Sequence, residues 1–291
     1  MTYYKVAGLY FSFDDKLYLL SERINYLPFQ VEKLGNTADI LFNLDINYEL
    51  KPTKKYEQFT YTNEIGCYGV TCENNTYEWV LKKLNSEEYY YMKLDIESKK
   101  ASINFEINDT FTIQAADDFV RFAFIYTAAF HNAILLHASC IKIENKGIAF
   151  IGNSGIGKST HSSLWLQYIS DSELINDDQP AVRVLSNQVF IYGTPWSGKT
   201  LCYKNLSANL TSILCMEQKP YNKLIPLNKL VLFTNLLSAS SLIRSEKETL
   251  KRISLTLSQL TELVRGAKLQ NRPEKEAALL AYDFFQANNS K

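Results

Sequence analysis

The sequence has 291 residues, 46% of them hydrophobic and 21% charged, the composition of an ordinary folded protein with room for one large domain or two moderate ones. Lys plus Arg and Asp plus Glu number 31 each, so no net field draws the chain to nucleic acid or to an anionic membrane, and neither is expected as a partner. The five cysteines, Cys67, Cys72, Cys140, Cys202 and Cys215, are odd in number and lack pairs at metal-ligand spacing, which argues against a disulfide framework or a zinc site and for a reducing, cytoplasmic setting. The opening MTYYKVAGLYFSF lacks the basic start and continuous apolar run of a signal peptide, and no segment approaches the charge-free length of a membrane span.

In chain order, 14 of the 19 tyrosines precede residue 130, in runs that mostly alternate. Asp39–Tyr48 places Ile40, Phe42, Leu44, Ile46 and Tyr48 on one face, the pattern of a half-buried strand. Similar runs at Tyr3–Phe13, Tyr56–Thr62, Thr76–Leu81, Tyr89–Ile96 and Ala101–Ile107, broken by Asn, Gly, Ser or Lys clusters, predict an antiparallel meander. Cys67 and Cys72 then read as strand packing. From Ala115 the period changes to that of a buried helix, with Asp117 and Asp118 expected in its first turn. This places a β-rich domain at 1–113 and a second domain at 114–291.

In the second domain the sequence predicts a strand at Gly147–Ile151, a glycine-rich loop and a helix from Lys158 to about Tyr168. Strands are expected at Glu173–Ile175, Ala181–Leu185, Gln188–Tyr192 and Thr211–Met216, and amphipathic helices at Ser245–Val264 and Pro273–Ala287. The class is therefore α+β followed by α/β.

The loop, Gly152-Asn153-Ser154-Gly155-Ile156-Gly157-Lys158-Ser159 with Thr160 behind it, matches the phosphate-binding pattern between a strand and a helix. Its glycines let successive N–H groups curl around an anion, Lys158 reaches the outer phosphates, and the Ser159 hydroxyl is suited to Mg2+. ATP with Mg2+ is the expected ligand. The apolar run Leu174-Ile175-Asn176 then ends in Asp177 and Asp178, with Asp177 18 positions after Ser159. One short helix fills that gap, as expected for a crossover to a neighbouring parallel strand that would set the carboxylates beside the loop. Adjacent strand residues point to opposite faces, so one carboxylate is expected toward magnesium and the other toward a substrate hydroxyl.

LLHASCI, GNSGIGKST, LINDDQP and GTPWSGK, in this order and spacing, resemble the nucleotide-binding core shared by HPr serine kinase/phosphorylase and ATP-dependent phosphoenolpyruvate carboxykinase, over roughly 137–198. The resemblance implies Asp177 as general base, Asp178 as metal-side carboxylate, Lys158 and Ser159 in the roles given above, and His137 near the catalytic base. GTPWSGK reads as a rigid irregular loop. Either Trp196 caps the core, or the loop lines the site with Lys199 facing the transferred phosphoryl group; the resemblance favours the second. Arg183 and Lys204 read as surface charges.

The function expected is therefore transfer of the γ-phosphoryl group of Mg–ATP to a hydroxyl of a protein, peptide or small-molecule acceptor, which the sequence does not choose between. A nucleotide-binding regulatory module without transfer is the alternative, and homo-oligomerisation is left open.

Overall fold

The computed structural model describes residues 1–32, 40–53, 59–198, 200–241 and 247–287. They divide into two compact units: Met1–Phe130 with the residues just before Lys251, and His131–Ser241 with the chain from Lys251 onward.

The first unit is one nine-stranded sheet, β1 (Thr2–Val6), β2 (Leu9–Phe13), β3 (Gln30–Val31), β4 (Ile40–Ile46), β5 (Tyr61–Thr62), β6 (Gly66–Glu73), β7 (Thr76–Lys83), β8 (Tyr89–Asp95) and β9 (Lys100–Ile103), in the order β3-β1-β2-β4-β9-β8-β7-β6-β5. The run Tyr3–Phe13 splits into a hairpin because Ala7 and Gly8 take φ of 53° and 77°, the left-handed pair of a tight hairpin turn. The expected meander holds from β5 to β9. It fails at β4, which runs parallel to both β2 and β9. The chain between β2 and β4, which includes the short helix α1 (Tyr18–Ser21), is long enough for the crossover that parallel pairing requires. Part of the expected strand Tyr56–Thr62 lies outside the described residues. Both Cys67 and Cys72 sit on β6, but Cys72 is exposed rather than packed, and none of the five cysteines is in a disulfide.

Helix α2 (Thr110–Ala128) starts upstream of the expected Ala115. Its start is fixed by the Asp109 carboxylate accepting the Thr112 N–H at 2.7 Å, while Thr112 Oγ1 accepts the Asp109 N–H at 3.0 Å. Asp117 and Asp118 are thus mid-helix and buried, not in the first turn. Their oxygens are matched by Tyr26 Oη (2.5 Å) and Arg23 (3.3 Å) for Asp117, and by Tyr68 Oη (2.6 Å), Asn63 (2.8 Å) and Arg121 (2.8 Å) for Asp118. The helix is apolar nearly all round, and it packs its aromatic residues on the first sheet, with Phe119 against Tyr68 and Tyr126 against Trp79. The division between the units accordingly follows Phe130 instead of residue 113.

The second unit is also a nine-stranded sheet: β10 (Ala133–Leu135), β11 (Ala138–Ile143), β12 (Lys146–Ile151), β13 (Ser172–Asp178), β14 (Ala181–Leu185), β15 (Gln188–Tyr192), β16 (Ser207–Gln218), β17 (Lys223–Pro226) and β18 (Arg265–Asn271). Helices α3 (Lys158–Tyr168), α4 (Lys229–Ala239), α5 (Lys247–Leu263) and α6 (Lys275–Gln286) complete it, with α5 beginning in the first unit. The parallel core is β12-β16-β18. The twelve-residue β16 meets β15 along its first residues and β18 along its last seven. Trp165 of α3 fills the space between this core and α6, with rings at 5.7 Å from Phe150 and 5.9 Å from Phe285.

The expected parallel neighbour of β12 is one strand removed. β11 pairs antiparallel with both β12 and β13, and two antiparallel steps restore the same direction. Ala138 consequently faces both Ile151 and Asp178, so the end of β12, the start of β11 and the end of β13 lie side by side.

Candidate functional site

A cavity of about 400 Å³ opens at that shared strand end. It is lined by His137 and Ala138 before and on β11, by Ser154, Gly155, Gly157, Lys158, Ser159 and Thr160 from the loop and α3, by Asp177 and Asp178, and by Gly198 and Thr200. Gly157 caps α3 with φ of 100°, a left-handed conformation that glycine adopts without strain. The first-turn amides of α3 thereby face the cavity end of the helix.

Lys158 is nearly buried, and its Nζ donates to the carbonyls of Gly152 (3.0 Å) and Asn153 (3.2 Å). Burial lowers its pKa, while Asp178 and Asp177 oppose that shift. The loop residues divide in function. Ile156 packs into the apolar core, and Gly152 and Asn153 anchor the lysine instead of lining the cavity.

Asp177 is 4% exposed, and neither of its carboxylate oxygens has a hydrogen-bond partner among the described residues. Asp178 is more open, with its Oδ1 at 3.4 Å from His137 Nε2. The imidazole pKa is pushed down by burial and by Lys158, with Asp178 pulling the other way. Both aspartates belong to the lining of the one cavity, and His137, on the same cavity, lies next to Asp178.

In the GTPWSGK segment, core packing and cavity lining occur together over 193–198. Trp196 is buried, and Gly198 lines the cavity with its N–H donating to Asp177 O at 3.1 Å. A Cβ at Gly198 would lie 2.8 Å from that oxygen, which requires glycine there. Lys199 lies outside the described residues. Arg183 binds the His131 carbonyl and Lys204 pairs with Glu173; neither lines the cavity. The sequence reading missed Asn176 and Thr194, which lie beneath the two aspartates, fully buried and hydrogen-bonded. An asparagine within an apolar strand run is the signal that could have marked them.

The second unit is thus a mixed α/β domain with a glycine-rich loop, a lysine and two carboxylates around one cavity. No family model matches the chain, and no curated protein matches it. Among solved structures it is similar to the Hpr(Ser) kinase/phosphatase from Coxiella burnetii, at 12% identity and a TM-score of 0.31, with 53% of this chain and 90% of that one covered. No helix among the described residues is long and apolar enough to cross a membrane.

Proposed function

We propose that the chain is a Mg–ATP-dependent kinase that transfers the γ-phosphoryl group to a hydroxyl of a protein, peptide or small-molecule acceptor. The observation that carries this reading is Asp177, a lining residue of the cavity shared with Lys158 and Ser159, whose buried carboxylate has two oxygens without a hydrogen-bond partner among the described residues. Nothing in the fold requires a bare carboxylate there, and its cost of burial is several kcal/mol as an order of magnitude. A proton acceptor for a hydroxyl accounts for it.

In this reading the loop amides and the α3 N-terminus cradle the phosphates, and the Lys158 ammonium balances charge on the outer ones. The donor set fits magnesium: Ser159 and Asp178 supply hard oxygens, and the described residues contain no group of three or more His, Cys, Asp or Glu that could hold a metal by themselves, in keeping with an ion that takes one or two protein ligands and completes its shell with phosphate and water. Magnesium, when bound, would neutralise phosphate charge. Asp177 orients the acceptor hydroxyl and takes its proton as the oxygen bonds to the γ-phosphorus, and the bond to the β,γ-bridging oxygen breaks with its electron pair leaving on ADP. His137 holds Asp178 in place.

The test is incubation with γ-labelled ATP and magnesium in a lysate, followed by identification of labelled species. Labelling by the wild type that Asp177→Asn abolishes is expected. Nucleotide binding without labelling would leave a regulatory module, and absence of nucleotide binding would overturn the reading.

A further inference from the structure

Asp177 and Asp178, adjacent at the end of β13, both belong to the lining of the cavity, and Asp178 is bridged on both sides, to Ala138 of β11 and to Ser197. Asn176 braces this strand end. It is fully buried, and its Oδ1 accepts two amides, Asp178 N–H at 3.0 Å and Gln179 N–H at 2.9 Å. This one oxygen thus holds the main chain at and just past the last pair of the β11 ladder, Ala138 with Asp178. The Asn176 Nδ2 donates to the Trp196 carbonyl at 3.1 Å, with Thr194 Oγ1 at 3.4 Å, so the amide uses its acceptor and donor sides together.

Thr194 closes the brace from the other side. It is fully buried, its hydroxyl donates to Gln179 O at 2.7 Å, and it accepts the Trp196 N–H at 3.2 Å. The strand tip and the segment carrying Gly198 are thereby tied into one unit, and the Gly198 N–H to Asp177 O bond completes it.

We propose that Asn176, seconded by Thr194, is a positioning residue: it fixes the main chain at Asp178, and with it the place of that carboxylate at the cavity, and so sets the metal affinity of the site. This rests on the reading of Ser159 and Asp178 as the metal-holding pair. Without the Asn176 oxygen, the Asp178 and Gln179 amides lose this acceptor and the strand end loosens around Asp178. Lys158 and the loop are held by separate bonds and keep their geometry.

The test uses the full chain with Mn2+ as the paramagnetic stand-in and a non-hydrolysable ATP analogue, reading free Mn2+ by electron paramagnetic resonance and metal-free nucleotide affinity by calorimetry. Asn176→Ala is expected to weaken Mn2+ binding by about tenfold or more and to leave metal-free nucleotide affinity within about twofold. Thr194→Val should shift Mn2+ affinity in the same direction by a smaller factor, and Thr194→Ser should restore it. If Asn176→Ala does not fold, the Thr194 pair decides. Unchanged Mn2+ affinity in folded variants overturns the proposal, as does loss of metal and nucleotide binding in equal proportion, the mark of a merely structural role. A wild type that binds nucleotide but no Mn2+ overturns it together with the metal reading. A wild type that binds both without transferring phosphate refutes the kinase alone.

Discussion

Replacing Asp177 by Asn should make the protein more stable and less active at once. The carboxylate is 4% exposed with no hydrogen-bond partner for either oxygen. A buried polar group left unpaired costs about 1–3 kcal/mol, and a charged one more. The amide is nearly isosteric and neutral, so the substitution relieves part of that cost. Part is given back, because Asp177 supports the charge on Lys158. The net expectation is a gain of about 1 kcal/mol, which for a unit of this size raises Tm by roughly 2–4 °C. Thermal unfolding without nucleotide or magnesium reads the stability, and single-turnover transfer to the acceptor found by labelling reads the chemistry, expected to fall by about 10²-fold or more. A loss of 1 kcal/mol or more would mean that the carboxylate has a structural partner, and the argument from its bareness would collapse. A gain in stability with wild-type transfer would remove Asp177 from the chemistry.

Lys158→Ala should cost about 1.5–3 kcal/mol of nucleotide binding, the range for hydrogen bonds to a charged group, with the fold retained; calorimetric titration checks this, and unchanged affinity would refute the loop as the site. Asp178→Asn should weaken transfer in a way that added magnesium partly relieves, which the Asp177 defect should not share; a magnesium series separates them. His161 is buried with Trp165 Nε1 donating to its Nε2 at 3.2 Å, and its pKa is lowered to about 4 by burial. Because the folded pKa lies below the ordinary 6.5, the unfolded chain takes the proton first, and stability is whole above about pH 6.5 and lost as pH falls toward 4. The wild type should lose about 3 kcal/mol more than His161→Gln across that window, as read from denaturant midpoints; parallel curves would show that the imidazole is not the group concerned.

The chemistry was more legible in the sequence than the topology around it. Gly152–Ser159 and the aspartate pair are short, local patterns, and most of their residues line one cavity. Strand neighbours are not local. The Ser159 to Asp177 spacing fits a crossover, but it cannot tell whether another strand lies between, and here β11 does. Asp117 and Asp118 read as helix-start residues because acidic groups favour that position; their burial depends on Arg23, Tyr26, Asn63 and Tyr68, remote in sequence and beyond any periodicity. α4 and β18 went unread for different reasons. The α4 sequence is apolar without clear amphipathicity, though Asn228 caps it. In β18, Arg265–Asn271 alternates only weakly and draws its order from β16 and β17.

The parallel pairing of β18 on β16 also bears on how the protein matures. The last seven residues of β16 carry Ile213, Leu214, Cys215 and Met216, all buried, and one edge of this stretch is closed only by Arg265–Asn271. A ribosome must translate past Asn271 before that edge can be sealed, and the join pairs residues 53 positions apart in the chain. Non-local strand pairing of this kind is slow. Until it is made, the nascent chain presents a sticky, unpaired strand next to the one that leads into the glycine loop. Chaperone dependence and losses during synthesis should therefore track substitutions in β18, far from the cavity, more closely than substitutions in the loop itself.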